Sequence, residues 1–116
     1  MGLDIILFKT KSAEVANFRK VNFLFKFFEN KIGDRNPTTI EVTTDDLCEL
    51  RNRCSKVLTD HTLAKELLPT CSGSFFGSTE YDEYYFKDVL RVLDVCESLL
   101  KHPLDDGERY ELDVWY

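Results

Sequence analysis

Two strand-like segments near the two ends of the chain constrain its fold more than any other feature. Residues 3–8 (LDIILF) are rich in β-branched side chains and almost continuously apolar, which predicts a strand buried on both faces. Residues 110–116 (YELDVWY) alternate apolar and polar side chains, which predicts a strand with one buried face. Because helical patterns fill most of the chain between them, we expect an α+β fold in which helices pack on a small antiparallel sheet.

One further strand and four helices are expected between these two segments. The first helix begins after Ser12 and runs to about Ile32, where Gly33 and Pro37 end it. Residues 38–43 alternate apolar and polar side chains and predict a short strand. Capping residues predict the other three helices: one after Thr43 or Thr44, a short one from Asp60 to Leu68, and a long one from Thr79 to Lys101. The expected order is β-α-β-α-α-α-β, with about three strands, in a single domain spanning residues 1–116.

The acidic composition narrows the classes of partner. The formal net charge of the 116 residues is −6. Generic nucleic-acid binding requires a basic surface, so this charge argues against it. It fits either an acidic surface that meets a basic partner or an ordinary solvated surface.

No apolar run approaches the ~20 residues of a membrane span. No basic segment precedes an apolar one at the start, so we expect a soluble, cytoplasmic protein without membrane contact.

Neither a metal centre nor a catalytic motif is expected from the sequence. The cysteines at positions 48, 54, 71 and 96 form no Cys-x-x-Cys pair of the kind that zinc sites use, so we predict reduced thiols and no metal. The glycines of residues 72–77 lack the spacing and the lysine of a phosphate-binding loop, and no nucleophile elbow is present. We therefore assign no catalytic residue and no cofactor.

Aromatic side chains lie on two sides of the predicted first helix. At 100° per residue, the main apolar face includes Val21 and Phe28, whereas Phe23 and Phe27 fall on nearly the opposite side. Asn22 belongs to a narrow, consistently polar stripe. Two exposed Phe side chains would represent several kcal/mol of burial. Unless the rest of the fold covers them, Phe23 and Phe27 therefore predict a homodimer or a partner contact.

The aromatic and acidic stretch of residues 73–88 is the main candidate for a binding surface. Two Phe side chains stand between glycines, and Tyr84 falls outside the core face of the long helix, to which Tyr85 belongs. Exposed tyrosine flanked by acids is typical of interaction surfaces. Alternatively, Phe75 and Phe76 plug the end of the core, and the carboxylates complement the helix dipole. The predicted partner-binding residues are Phe75, Phe76, Glu80, Asp82, Glu83, Tyr84 and Asp88.

Three blocks of the sequence carry a resemblance to a known family. Residues 1–9 (MGLDIILFK) are similar to an MGLDMYLYK start, and residues 18–22 (FRKVN) are similar to a WRKAN segment. Residues 67–86 (LLPTCSGSFFGSTEYDEYYF) are similar to the signature LLPTxSGFFFGSTEYDEYYF. The chain thus resembles a family of small phage and prophage proteins with no established activity. It departs from the pattern at Phe18, where the family has Trp, and at Ser74, where it has Phe.

The resemblance implies a phage-encoded accessory protein. Small acidic phage proteins outside the virion often bind and inhibit a host protein, including CRISPR nucleases and other defence nucleases. The first hypothesis is therefore an inhibitor that binds a host protein in the cytoplasm of an infected or lysogenic bacterium.

The second hypothesis is a small-ligand or nucleotide-binding protein, or an enzyme. Its pocket would lie between residues 70–79 and the first helix, with Arg19 as an anion anchor. An interaction surface should be convex, whereas a ligand site should be concave, with Arg19 and a tyrosine hydroxyl converging.

Overall fold

The fold combines a four-stranded antiparallel sheet with four α-helices in the part of the chain that the structure describes. This computed structural model describes residues 2–10, 14–102 and 104–116. The elements in chain order are β1 (Asp4–Lys9), β2 (Glu14–Arg19), α1 (Asn22–Ile32), β3 (Thr38–Val42), α2 (Thr44–Thr59), a 3₁₀ turn (His61–Leu63), α3 (Ala64–Leu67), α4 (Glu83–Lys101) and β4 (Tyr110–Trp115). The predicted α+β class is confirmed.

The two end strands pair with each other in the middle of the sheet. The strand order is β2-β1-β4-β3, and all three pairings are antiparallel. Ile5 lies opposite Phe18 on one side and Val114 on the other, and all three side chains are buried. The helices α1, α2 and α4 cover this face of the sheet. Side chains from these helices and from the sheet together line a small cavity of about 20 Å³.

The prediction of about three strands and a first helix from Ser12 is wrong. Residues 14–19 form β2, which pairs with β1, and α1 begins only at Asn22. Phe18 suited the helical period, but it is equally suited to a strand in which Ala16 and Phe18 face the core and their neighbours face solvent. Pairing with β1 also satisfies backbone groups over the length of β2. The expected cap, Ser12, lies outside the described residues.

Two other expectations about the elements need correction. β1 is buried on one face only, since Ile6 and Phe8 are half-buried while Ile5 and Leu7 are buried. The long helix begins at Glu83, and its N-cap is Asp82, whose carboxylate accepts from the N–H of Tyr85 at 3.1 Å. Asp82 therefore takes the capping role that was expected of Thr79.

The choice between Thr43 and Thr44 as the cap of α2 is settled by hydrogen bonds. The Thr43 hydroxyl accepts from the Asp46 N–H at 3.1 Å, and the Asp46 carboxylate accepts from the Thr43 N–H at 2.9 Å. This reciprocal pair is a capping box at the start of α2.

No helix in the described part of the chain has both the length and the apolar character that a membrane span requires.

The second aromatic side of α1 is covered within the chain. Phe23 is only 2% exposed, and its ring contacts that of Tyr85 with 5.4 Å between centroids. Phe27 is half-buried, with the Arg53 guanidinium 5.4 Å from its ring centroid. The exposed stripe that led us to expect a homodimer through Phe23 and Phe27 is therefore absent.

The thiols contribute to the core or lie at its margin. All four cysteines are free. Cys54 on α2 and Cys96 on α4 are buried, and burial raises the pKa of both thiols, that of Cys96 to about 12. Burial also raises the pKa of the half-buried Cys71. Because the thiolate is the reactive form, these three side chains are poor nucleophiles at neutral pH.

Candidate functional site

The connection between α3 and α4, residues 68–82, is held in place by one buried side chain of α1. Asn22 is 3% exposed. Its Nδ2 donates to the carbonyl oxygens of Phe76 at 3.2 Å and of Ser78 at 3.0 Å, and its Oδ1 accepts from the Cys71 N–H at 3.3 Å. The connection has no strand partner for these groups, so the carboxamide takes the place of a β-ladder. We name residues 68–82 the clamped loop.

Phe76 closes the end of the core beneath the clamped loop. It is 5% exposed, and its ring meets that of Phe25 at a centroid distance of 5.0 Å and that of Tyr116 at 6.1 Å. Gly73 is required beside it, because a Cβ at Gly73 would lie 2.8 Å from the Phe76 ring. The prediction that Phe76 contacts a partner is therefore wrong, and the alternative of a core plug holds for this residue.

Phe75 has the opposite placement. Its side chain is 66% exposed although its backbone adopts φ +60°, a left-handed conformation that is unfavourable for a residue with a Cβ. A hydrogen bond at 3.4 Å from the Leu3 N–H to the Phe75 carbonyl ties this position to the start of β1. The fold thus holds a large apolar side chain in solvent, on a strained backbone, at a pinned position.

A second residue with a strained backbone packs against the clamped loop. Lys20, between β2 and α1, also has φ +60°. Gly77 lies against it, since a Cβ at Gly77 would be 3.2 Å from the Lys20 Cβ, and Gly77 itself has φ +88°. Two strained non-glycine residues therefore occur where the clamped loop meets the β2–α1 junction. Such clusters are typical of functional sites.

A cleft of about 280 Å³ opens between the β2–α1 junction and the N-terminal turns of α4. It overlaps only in part with the pocket expected between residues 70–79 and the first helix, because Asn22 and Phe23 are its only lining residues from α1. A wider opening of about 460 Å³ lies between residues 71–76 and the side of α1 that carries Phe25 and Glu29. Thr70 and Ser78 of the clamped loop contribute to the wall of the cleft. The cleft brings together Arg19, Glu80, Asp82, Tyr84 and Asp88 from the two hypotheses, together with Lys20, which neither hypothesis named.

Arg19 occupies a different element from the one expected. It is the last residue of β2, not a residue of α1, and lies opposite Asp4 of β1. The strand pleat directs it to the face of the sheet opposite the helices. Arg19 is therefore at the rim of the cleft, and Lys20 is the cationic residue nearer to the clamped loop.

The two walls of the cleft carry opposite charges that do not neutralise each other directly. Within residues 14–102, Arg19 and Lys20 form no ion pair with Glu80, Asp82 or Asp88. Charges of both signs around a cleft of about 280 Å³ can bind a ligand or a partner group that itself carries charge.

The two adjacent tyrosines of α4 have different environments. Tyr84 is 67% exposed and lines the cleft, with Lys87 Nζ 5.6 Å from its ring centroid. Tyr85 is 5% exposed, and its hydroxyl donates to the Leu68 carbonyl at 2.7 Å. Burial raises the pKa of the Tyr85 hydroxyl. Tyr84 thus lines the cleft, and its hydroxyl has no hydrogen-bond partner among the residues that the structure describes, whereas Tyr85 fixes α4 to the clamped loop. Glu83 is exposed on the first turn of α4, outside the cleft.

Ionisation of Asp88 is less favourable in the fold than in water, because its pKa is raised. Partial burial and the nearby Asp82 carboxylate raise its pKa, and Arg91 opposes this shift only in part. A carboxylate kept charged against its surroundings gains free energy when a cation approaches it. No group of three or more potential metal ligands occurs among the described residues.

Asn22 is the main functional residue that sequence reasoning missed. The sequence pattern placed it in a narrow polar stripe of the first helix and assigned it no role, whereas Asn22 is the first residue of α1 and is buried. A signal was present in the chain, because Asn22 ends the FRKVN block of residues 18–22 and is a polar residue directly before the apolar run of residues 23–25. The structure brings this block, the start of β1 and the clamped loop together.

We predict that Asn22→Ala lowers the free energy of unfolding by about 2 kcal/mol, because it leaves two carbonyls and one N–H of the clamped loop without a partner. Urea unfolding measures this loss. Asn22→Asp, which keeps the acceptor but removes both donors, should lose at least as much. Asn17→Ala on the exposed face of β2 is the control and should change stability by less than about 0.5 kcal/mol. An equally small loss for Asn22→Ala would show that the loop is held by other contacts.

We predict that Asp88→Asn raises the urea midpoint at pH 7. The folded-state pKa of Asp88 is raised, so its charge costs stability above that pKa, and the cost disappears as pH falls below the unfolded-state pKa of about 3.9. The gain should therefore vanish near pH 3.5. Asp94→Asn, on an exposed position of the same helix, controls for net charge. A gain of equal size at both pH values would contradict the assigned cause.

Comparison with protein families, with curated proteins and with solved structures found no match to this chain. The function of the site must therefore follow from its own geometry and chemistry.

Proposed function

We propose that this protein binds a partner protein through a surface centred on Phe75 and Tyr84. The observation that carries the proposal is the exposure of Phe75 at φ +60°. The left-handed backbone costs about 1–2 kcal/mol, and the solvent-exposed ring returns little of that free energy within the chain. Burial of the ring in a partner would return it, and the clamped loop removes most of the entropy that ordering this residue would otherwise cost.

The surroundings of Phe75 fit the composition of a protein interface. Tyr84 is exposed at the neighbouring cleft, and Glu80, Asp82 and Glu83 are exposed close to it in the chain. Lys20 lies near both aromatic residues. A Cβ at Gly2 would lie 3.6 Å from the Phe75 Cβ and 3.7 Å from the Lys20 Cε, so Lys20 and Phe75 lie beside the same glycine. Lys20 also lines the cleft, as Tyr84 does. Anchoring aromatics with a charged rim are typical of binding hot spots.

The resemblance to phage and prophage proteins supports a narrower form of this proposal. The partner would be a bacterial host protein, such as a CRISPR nuclease or another defence nuclease, which the protein inhibits in the cytoplasm. The net charge of −6 suits a target whose own surface is basic because it binds nucleic acid. No cofactor is needed for inhibition by binding.

The cleft supports a second candidate function, the binding of a small charged ligand. It is concave, and Arg19, Lys20 and the Tyr84 hydroxyl lie around it, as a ligand site requires. Its volume of about 280 Å³ is near the lower end of the range for small-molecule sites. The charges on its opposite walls suit a zwitterionic ligand such as a free amino acid.

We predict that Phe75→Gly and Tyr84→Ala weaken partner binding at least tenfold without loss of stability. Glycine adopts φ +60° freely, so Phe75→Gly should leave the melting temperature unchanged or raise it. Tyr84→Ala should change stability by about 0.5 kcal/mol or less. Tyr85→Ala should instead lose roughly 3–5 kcal/mol, because it opens a cavity and leaves the Leu68 carbonyl without its donor. The measurement is capture from a lysate of the bacterium that carries the gene, followed by titration calorimetry with the captured protein.

Leu90→Ala is the matched control for these variants. Leu90 is 49% exposed on α4, and its removal should leave binding unchanged. Equal binding by wild type, Phe75→Gly and Tyr84→Ala would refute the proposed surface. Equal losses of stability in Tyr84→Ala and Tyr85→Ala would show that α4 is rotated relative to this description.

The second candidate predicts stabilisation by a small ligand. Free amino acids at millimolar concentration should raise the melting temperature of the wild type, since a ligand that binds only the folded state stabilises it. The increase should be smaller in Asp88→Asn and unchanged in Leu90→Ala. The absence of any increase across the amino acids would remove this candidate.

A further inference from the structure

The face of the sheet opposite the helices forms a second exposed surface, separate from Phe75 and Tyr84. The pairing register aligns one row of side chains across all four strands on this face. Phe8 lies opposite Glu14 on one side and Glu111 on the other, and Glu111 lies opposite Glu41. Three of the four residues in this row are glutamates, and Glu14 and Glu41 are exposed.

This arrangement costs stability in the isolated protein. Like charges directly opposite each other on antiparallel strands are destabilising, and Glu41 and Glu111 are such a pair. Arg109 relieves it only in part, through its Nε 2.9 Å from a Glu111 carboxylate oxygen. The next row adds Asp113, whose carboxylate accepts from the Thr39 hydroxyl at 2.5 Å. The acids therefore concentrate on the β4–β3 side of this face.

Apolar side chains occupy the middle of the same face. Ile6 and Phe8 on β1, one of the two central strands, are half-buried on this face. Trp115 at the end of β4 is 41% exposed and is the only tryptophan in the chain. The face thus has an apolar centre, with carboxylates concentrated on the β4–β3 side and Arg19 at the end of β2, and an apolar centre with a charged rim is the arrangement of a protein-binding surface.

We propose that this face, which we name the outer face, binds a lysine- or arginine-rich segment of a partner protein. Charge complementarity selects the occupant. A second copy of the chain would bring the glutamate rows of two outer faces together, and a nucleic acid would bring further negative charge, so both are disfavoured. The alkyl parts of Lys and Arg side chains can cover Ile6 and Phe8 while their charged ends reach the carboxylates.

The probe for this proposal is a synthetic twelve-residue peptide of alternating Arg and Val. It contains no tryptophan, so the emission of Trp115 reports binding directly. We expect a saturable blue shift of that emission, with an affinity that falls as salt is raised. The triple variant Glu14→Gln, Glu41→Gln, Glu111→Gln should bind at least tenfold more weakly than the wild type. Its melting temperature should be equal or higher, because the repulsion between opposite glutamates is gone.

A charge-matched control separates the outer face from the net charge of the protein. The triple variant Glu66→Gln, Asp94→Asn, Glu97→Gln removes three exposed acids from α3 and α4 and should weaken peptide binding less than threefold. The single variant Glu41→Lys places a cation opposite Glu111, so it should raise the melting temperature and still weaken binding.

Three results would overturn the proposal. Equal weakening by the two triple variants would mean that the peptide responds to net charge alone. A dimer in light scattering that becomes tighter when Glu14, Glu41 and Glu111 are replaced by Gln would identify a second copy as the occupant, because those carboxylates repel each other across such an interface. A shift of the Trp115 emission when single-stranded DNA is added to the protein without the peptide would identify a nucleic acid as the occupant instead.

Discussion

The hydrogen bonds of the Asn22 carboxamide are the interaction on which the candidate site depends. The clamped loop has no ladder of its own, and its backbone contacts with Asn22 fix three points along residues 71–78. The exposure of Phe75 and the shape of the cleft both follow from that fixation. Asn22 can reach the loop only because α1 starts immediately after β2, so the β2–α1 junction, with Lys20 at φ +60°, is part of the same arrangement.

The site also shows where the fold contains locally unfavourable backbone conformations and charge interactions. Lys20 and Phe75 adopt left-handed backbone conformations, Asp88 keeps a charge that its surroundings disfavour, and Glu41 faces Glu111. Each term is small against the burial of the core, which extends over the covered sheet face and the helices. Their concentration on two surfaces, and not in the core, distinguishes them from packing defects.

Much of the fold could be predicted from local patterns, whereas the site depended on contacts between distant residues. β3, β4, the start of α2 and the end of α4 follow from alternation and capping residues, which act over a few positions. β2 could not be separated from a helix, because Phe18 satisfies both periods and its pairing with β1 is not visible in a local window. The exposure of Tyr84 and the burial of Tyr85 were predictable from helical geometry alone. The opposite placements of Phe75 and Phe76 were not, since they depend on the backbone of the clamped loop and on Gly73.

The strand order has a consequence for how the chain acquires its sheet during synthesis. β1 and β2 are neighbours in sequence and in space, so they can pair as soon as both have left the ribosome. β3 has only β4 as its neighbour in the sheet, and β4 lies near the opposite end of the chain, almost seventy residues later. Until residues 110–115 leave the ribosome, β3 has no strand with which to pair. Over the same period, the paired part of the sheet on which α2 and α4 can pack consists of β1 and β2. The nascent protein must therefore keep Ile40 and Val42 out of wrong pairings for most of its translation, and the sheet closes along its middle with the last strand to arrive.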